Sequence, residues 1–232
     1  MEHIIFSARK ELDFRTNESF KALRTNIQFC GDDIKVISLT SCIPSEGKTS
    51  VSFNLAVTFA EIGKKVILID ADLRKSVLAG RYRVGEVLGG LTHYLIGEKQ
   101  LDEIVNETDI SNMDIIFAGA NCPNPAELLY HQRFEDMIAI LKEVYDYIII
   151  DTPPLGSVID SAIIARLSDG VVLVIEANMI SYRFARDVKE QLSKSNCRIL
   201  GAILNKVPRD KNGYYSKYYG NYYAEHNEMD AE

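Results

Sequence analysis

Ile34-Lys35-Val36-Ile37-Ser38-Leu39-Thr40-Ser41-Cys42-Ile43-Pro44-Ser45-Glu46-Gly47-Lys48-Thr49-Ser50 is the stretch on which the fold turns. An apolar run enters a turn that closes on Gly-Lys-Thr, and a helical pattern from Val51 to Glu61 leaves it. Strand, turn and helix in that order are the setting of a phosphate-binding loop. Successive backbone N–H groups in such a turn point inward, and the new helix adds its positive end. Gly47 lets the backbone approach a phosphate because it has no Cβ. Pro44, Ser45, Glu46, Gly47, Lys48, Thr49 and Ser50 are thus candidate nucleotide-binding residues. Lys48, expected on an exposed loop, can reach the β- and γ-phosphates, and the Thr49 hydroxyl can ligate Mg²⁺. Cys42 stands where the strict pattern has glycine, and Pro44 has no N–H to offer. The competing reading is an ordinary strand-to-helix turn with a surface lysine.

Further along, Lys65-Val66-Ile67-Leu68-Ile69-Asp70 is an unbroken apolar strand of the buried parallel type, followed by Ala71-Asp72-Leu73-Arg74. In open α/β sheets the ligand sits beyond the carboxyl ends of the strands. Asp70 and Asp72 can share one face of an extended chain there, suited to Mg²⁺ or to a hydroxyl proton. Tyr147-Ile148-Ile149-Ile150-Asp151-Thr152-Pro153-Pro154 is a second buried strand that ends in a carboxylate, placing Asp151 as a Mg²⁺-positioning acid. A last strand, Arg198 to Asn205, ends in Asn205-Lys206, a pair that can meet a purine edge. Met113 to Ala118 and Gly170 to Ala177 read as strands. Leu91 to Val105 holds a helix or two, and Arg133–Val144, Ser157–Ser168 and Tyr182–Ser195 read as helices. Short β-α-β-α connections predict a doubly wound, mostly parallel sheet with helices on both faces.

With 232 residues the chain suits one α/β domain, and a net charge of −7 argues against a nucleic-acid-coating surface. The longest apolar runs are strand-length, so no membrane span is expected, and the N-terminus lacks a signal-peptide pattern. Cys30, Cys42, Cys122 and Cys197 are scattered without Cys-x-x-Cys, which disfavours a disulfide framework or metal knuckle and suits a reduced cytoplasmic setting.

The phosphate-loop body is expected to span 1–207 and a flexible tail 208–232. Near the start, Asn17 can cap a helix within 16–30, with Phe20, Leu23, Ile27 and Ala22 on one face and Glu18, Lys21 and Arg24 recurring every three residues on another. Such a charged face is ordinarily solvated. The tail carries Tyr214, Tyr215, Tyr218, Tyr219, Tyr222 and Tyr223, half of the chain's 12 tyrosines, with no aliphatic residues to pack against them. From Tyr218 to Glu232 there is no Lys or Arg, which disfavours a nucleic-acid stacking platform. A multi-site phosphate acceptor and an adhesive low-complexity tail remain.

Together these parts resemble the bacterial tyrosine autokinases, or BY-kinases, of the capsular and exopolysaccharide type. Ser41 to Thr49 matches that family's Ser-x-x-Pro-x-x-Gly-Lys-Ser/Thr loop, in which Cys42 and Pro44 are at home. Ile67 to Arg74 matches its second Walker motif, Asp151 to Pro154 its Asp-Thr-Pro-Pro, and Pro123 to Leu129 its Pro-Asn-Pro-x-Glu-Leu-Leu. Its ring-forming Glu-x-x-Arg-x-x-Arg falls on Glu18, Lys21 and Arg24, with Lys in place of the middle arginine and so without the bidentate fork.

The resemblance implies transfer of the γ-phosphoryl group of Mg-ATP to tyrosine. It implies Lys48 and the loop on the phosphates, and Thr49 and Asp151 on Mg²⁺. Asp70 then accepts the tyrosine proton, Asp72 serves metal or orientation, and Arg74 organises the site or an activator contact; the sequence does not separate the roles of Asp70 and Asp72. It also implies a separate membrane-anchored activator that recruits the cytoplasmic kinase to the membrane, a homo-oligomeric ring while unphosphorylated, and the six tail tyrosines as acceptors. The alternative is a partition or septum-positioning ATPase of the same fold, whose signature lysine would fall on Ile43. Iron–sulfur carrier ATPases need a Cys-x-x-Cys that is missing, and an inactive adaptor would have lost Lys48 or a carboxylate.

Overall fold

The structure, a computed structural model, describes residues 3–85 and 87–208; the tyrosine cluster 214–223 lies outside them. In chain order the elements are β1 (His3–Ile4), α1 (Phe14–Gln28), β2 (Val36–Ser41), α2 (Lys48–Ala60), β3 (Val66–Asp70), α3 (Leu78–Tyr82) and α4 (Leu91–Leu95). A one-turn 3-10 helix at Leu101–Glu103 precedes β4 (Asn106–Thr108) and β5 (Met113–Ile116). Then follow α5 (Pro125–Tyr130), α6 (Gln132–Val144), β6 (Tyr147–Asp151), α7 (Asp160–Ala165), β7 (Gly170–Glu176), α8 (Tyr182–Ser193) and β8 (Ile199–Asn205).

The strands form one eight-stranded sheet in the order β1-β4-β5-β3-β6-β2-β7-β8. Every pairing is parallel except β4 with β5. Central strands β2 and β3 are buried along their whole length, as strands covered on both faces must be. Alternation sorts their side chains: Val66 and Leu68 join the core under α1 and α2, whereas Ile67 and Ile69 join the core under α4, α5 and α6. The chain leaves β2 toward β3 on one side and crosses from β6 to β7 on the other. That reversal opens the crevice above the carboxyl ends of β2, β3 and β6 where an α/β ligand belongs.

Several expected boundaries move. Helix α1 starts at Phe14 because Asp13, not Asn17, caps it: its carboxylate takes the Thr16 amide at 3.1 Å and the Thr16 hydroxyl at 3.0 Å. Ala22 is exposed, so the buried stripe is carried by Phe20, Leu23 and Ile27. The helix expected over Ser157–Ser168 shrinks to α7, since the amides of Ser157 and Val158 turn back to the Pro154 carbonyl. Strands β1 and β4 are two and three residues long, too short for a period to show in sequence. Gly63 ends α2, at φ 79°, with the Lys64 amide bonded back to Phe59.

Candidate active site

Between β2 and α2 the chain makes a tight loop whose outer side is clamped by the protein itself. The Glu46 side chain turns inward and is 1% exposed. Its Oε2 accepts the Cys42 and Ile43 amides at 2.6 and 2.8 Å, and its Oε1 accepts the Glu176 amide at 3.1 Å. The amides of Cys42 and Ile43 are therefore spent within the loop, contrary to the expectation that the whole turn offers N–H groups inward. Those of Lys48, Thr49 and Ser50 come before the first intrahelical bond, from Val51 to the Gly47 carbonyl, and are the donors at the head of α2. Ser45 and Gly47 both have positive φ, 71° and 91°, and a Cβ on Gly47 would lie 2.2 Å from the Asn205 amide nitrogen. Only glycine fits there.

Asn205, at the strand end that can meet a purine edge, donates from its amide nitrogen to the Glu46 carbonyl at 2.8 Å, while Lys206 holds the Ser45 carbonyl and Glu176, each at 2.7 Å. The end of β8 is thus a brace for the loop.

Lys48 is not on an exposed loop. It is the first residue of α2, its side chain is 7% exposed, and its Nζ lies 2.7 Å from Asp151 Oδ1. Ser52, one turn later on the helix, donates to the same oxygen at 3.1 Å. Asp151 faces Asp70, its register partner across β6 and β3, and both are 1% exposed. Burial first, and the neighbouring Asp151 second, push the Asp70 carboxyl up to about 7; the Ser76 hydroxyl, Lys48 and the Asp72 amide pull the other way. Two buried carboxylates and the buried Thr49 hydroxyl make an all-oxygen donor set. Such a set suits Mg²⁺, which is usually held by one or two carboxylates together with substrate phosphates. Among the described residues no group of three or more His, Cys, Asp or Glu could hold a metal by itself, so phosphate oxygens would have to complete the shell.

The second carboxylate of the pair behaves differently. The strand ends at Asp70, and Asp72 sits in the turn beyond it, only partly buried, with its side chain accepting the Lys75 amide at 3.0 Å. Asp70 and Asp72 therefore do not share the face of one strand. Arg74 grips Asp160 with both arms, Nε to Oδ2 at 2.7 Å and Nη2 to Oδ1 at 2.9 Å. Asp160 is fully buried at the start of α7, so this fork ties the 70–76 loop to the 151–160 loop. Removing Arg74 would leave Asp160 buried and unpaired. We expect Arg74→Ala to cost about 2–3 kcal/mol by urea denaturation, the exposed half of the guanidinium trimming the cost of a fully buried pair. Lys21→Ala, in the exposed Glu18–Lys21 pair at 2.7 Å, should change stability by less than about 1 kcal/mol.

On α1 the charged triplet is split. Glu18 and Lys21 pair at the surface, whereas Arg24 donates from Nη1 to the Thr58 carbonyl at 2.8 Å and buries its Nε. Arg24 docks α1 onto α2 rather than standing beside Glu18 and Lys21.

Sequence reading missed Ser52, Ser76 and Asp160. Ser52 follows Lys48 by one helical turn, a spacing that marks a shared face. Ser76 and Asp160 reach the site through loops and carry no such spacing signal.

A family model described as an AAA domain matches residues 34–199. The tyrosine-protein kinase CpsD of Streptococcus agalactiae is 44% identical over 208 residues, covering 90% of this chain and 90% of that protein. The chain belongs to the bacterial tyrosine-protein kinases. The kinase domain of the Escherichia coli tyrosine kinase ETK superposes on this kinase with a TM-score of 0.79 at 31% identity, over 85% of this chain and 78% of that one. The septum site-determining protein MinD of Pyrococcus horikoshii OT3, solved with Mg-ADP, shares the fold at a TM-score of 0.66 and 28% identity, over 76% and 72%. The higher identity and wider coverage lie with the kinases, so the septum-ATPase alternative is not supported. No described helix is long and apolar enough to cross a membrane.

Proposed function

We propose that this tyrosine kinase transfers the γ-phosphoryl group of Mg-ATP to its own tail tyrosines, Tyr214, Tyr215, Tyr218, Tyr219, Tyr222 and Tyr223. The observation that carries the reading is the buried constellation of Lys48, Asp151 and Asp70 at the head of α2. The free amides at Lys48, Thr49 and Ser50 bind phosphate oxygens, with Lys48 swinging from Asp151 to the β- and γ-phosphates. Thr49 and Asp151 hold Mg²⁺, which when bound neutralises the phosphates. A tyrosine oxygen attacks the γ-phosphorus, the bond to the ADP oxygen breaks, and the phenol proton passes to Asp70. A base with pKa near the working pH is the efficient choice for that step. Asp72 caps the turn that presents Asp70, and Arg74 locks that turn to α7.

The kinase acts at the inner face of the membrane, recruited and activated by a membrane-anchored protein of capsular or exopolysaccharide export. Unphosphorylated copies assemble through the Glu18–Lys21 face of α1, which Arg24 holds in place on α2, into a ring that phosphorylation opens, since each phosphotyrosine adds about −1.5 to −2 charges to a chain already at −7. Replacing all six tail tyrosines by Phe is expected to remove most phosphotyrosine after incubation with Mg-ATP. Phosphorylation of an added tyrosine peptide should persist. Mass spectrometry that finds most phosphate on Tyr82, Tyr94 or Tyr182 instead defeats the tail assignment.

A further inference from the structure

Beside the phosphate loop lies a basic corner that the reaction scheme does not use. Its centre is Tyr82, 7% exposed, with its ring stacked on Phe53 at 4.0 Å and edge-on to Phe6 at 5.7 Å. The Tyr82 carbonyl accepts the Ala8 amide at 3.1 Å, which pins the N-terminal strap against α3. Arg81 and Arg83 flank Tyr82, Arg9 and Lys10 follow Ala8, and all four are exposed. Arg81 reaches the head of α2, its Nη1 donating to Ser50 Oγ at 3.0 Å, one residue from Thr49. Among the described residues none of these four cations forms an ion pair. Arg9 and Lys10 also line a groove of about 570 Å³ on the far side of the strap, where the carboxylates are Glu11, Glu61 and Asp109; Arg81 and Arg83 lie outside it. Asp109 takes the Phe6 amide at 3.4 Å. Around Tyr82 the strap and α3 thus expose four cations, Arg9, Lys10, Arg81 and Arg83, in a chain whose net charge is −7.

One segment of this chain complements that wall. Residues 218–232 contain no Lys or Arg and carry Glu225, Glu228, Asp230 and Glu232 just beyond the last tyrosines. These acids follow Tyr223 by two to nine residues, a span of roughly 7–30 Å when extended. A tail with a tyrosine at Asp70 can therefore lay its acidic end on the corner that begins at Ser50. We infer that Arg9, Lys10, Arg81 and Arg83 form a docking surface for residues 225–232, holding the acceptor while its tyrosines enter the site. The inference rests on the tail being the acceptor. It adds a reason why the acceptor cluster ends in acids: long-range attraction concentrates the acceptor segment at the mouth of a site whose own interior is acidic.

The test uses the full-length kinase and a fluorescent peptide of residues 218–232 with its four tyrosines replaced by Phe, so that binding is read without phosphorylation. The variant is Arg9→Gln with Lys10→Gln and Arg83→Gln, which spares Arg81 and its bond to Ser50. Three lost surface cations are expected to weaken binding about 5- to 20-fold. In 1 M salt, where the screening length is about 3 Å, that difference should vanish. A peptide with Gln or Asn in place of its four acids should bind wild type weakly and be indifferent to the triple variant. Turnover of a short uncharged tyrosine peptide should not change. Equal affinity of wild type and variant for the acidic peptide overturns the inference. So does patch-dependent binding of phosphatidylserine vesicles without patch-dependent binding of the peptide, which would make the corner a membrane surface. Failure of the acceptor reading is seen separately, as no phosphorylation of the tyrosine form of the peptide by wild type.

Discussion

Lys48→Met is expected to lower tyrosine phosphorylation by at least about 10² to 10³, the typical loss when one preorganised donor to a transition state is removed. The structure adds a second effect that an exposed lysine would not have. Lys48 is the ion-pair partner of Asp151, whose side chain is 1% exposed and, among the described residues, keeps only the Ser52 hydroxyl once the ammonium is gone. Breaking a buried pair by deleting one partner costs about 3–5 kcal/mol, because the remaining charge stays desolvated. The variant should therefore unfold at lower urea as well as lose activity. The two effects separate in practice: phosphotransfer is assayed well below the variant's own midpoint, with far-UV circular dichroism on the same sample. Mg²⁺ itself should restore part of the stability, since a divalent cation can replace the lost ammonium beside Asp151 and Asp70. Near-normal autophosphorylation by a folded Lys48→Met protein would mean that the loop is not the phosphate site.

The central sheet was legible because its signals are local. Ile67 to Ile69 and Ile148 to Ile150 are continuous apolar runs ending in Asp70 and Asp151, and a strand buried on both faces has no other way to be written. The loop was legible for the same reason: strand, Gly-Lys-Thr and helix are contiguous. What escaped depends on side chains arriving from elsewhere in the chain. Glu46 reads as a loop residue facing a nucleotide, yet it caps the amides of Cys42, Ile43 and Glu176. Asn205 meets the loop's own Glu46 carbonyl because β8 lies two strands from β2 across β7, a neighbourhood that sequence spacing does not encode. Arg24 looks like one of three equal charges on a helix face, and only the packing of α1 on α2 turns it to the Thr58 carbonyl. The start of α1 was missed on turn chemistry, since both Asp13 and Asn17 are competent caps and the Thr16 hydroxyl decides in favour of Asp13.

Asp70→Asn is expected to make the apo protein more stable at alkaline pH and yet nearly inactive. The Asp70 carboxyl is pushed up to about 7 from its ordinary value of 3.8, by burial first and by Asp151 second. Between those values the folded protein holds a proton that the unfolded chain has released. The stability associated with that proton is fully present below about pH 4 and is lost as pH rises through about 7. At pH 8 the wild type therefore carries a penalty on the order of 3–4 kcal/mol that asparagine, a neutral isostere, does not. The hydrogen bonds survive the change: the Asn carbonyl can take the Asp72 amide that Asp70 accepts at 3.2 Å, and its NH₂ can donate to a rotated Ser76 hydroxyl. Urea denaturation at pH 5, 6.5 and 8, without nucleotide and with a chelator present, should show wild type weakening with pH and Asp70→Asn nearly level. Phosphotransfer should fall by about 10² to 10⁴, the usual contribution of a positioned base. ATP affinity should change little, because the amides at the head of α2 and Lys48 hold the phosphates. A variant that keeps full kinase activity removes Asp70 from the reaction. An equal loss of ATP affinity and rate assigns it to the metal instead. A wild-type stability that rises between pH 5 and 8 while the variant's stays level would show that Asp70 is not the proton-holding carboxyl of the folded state.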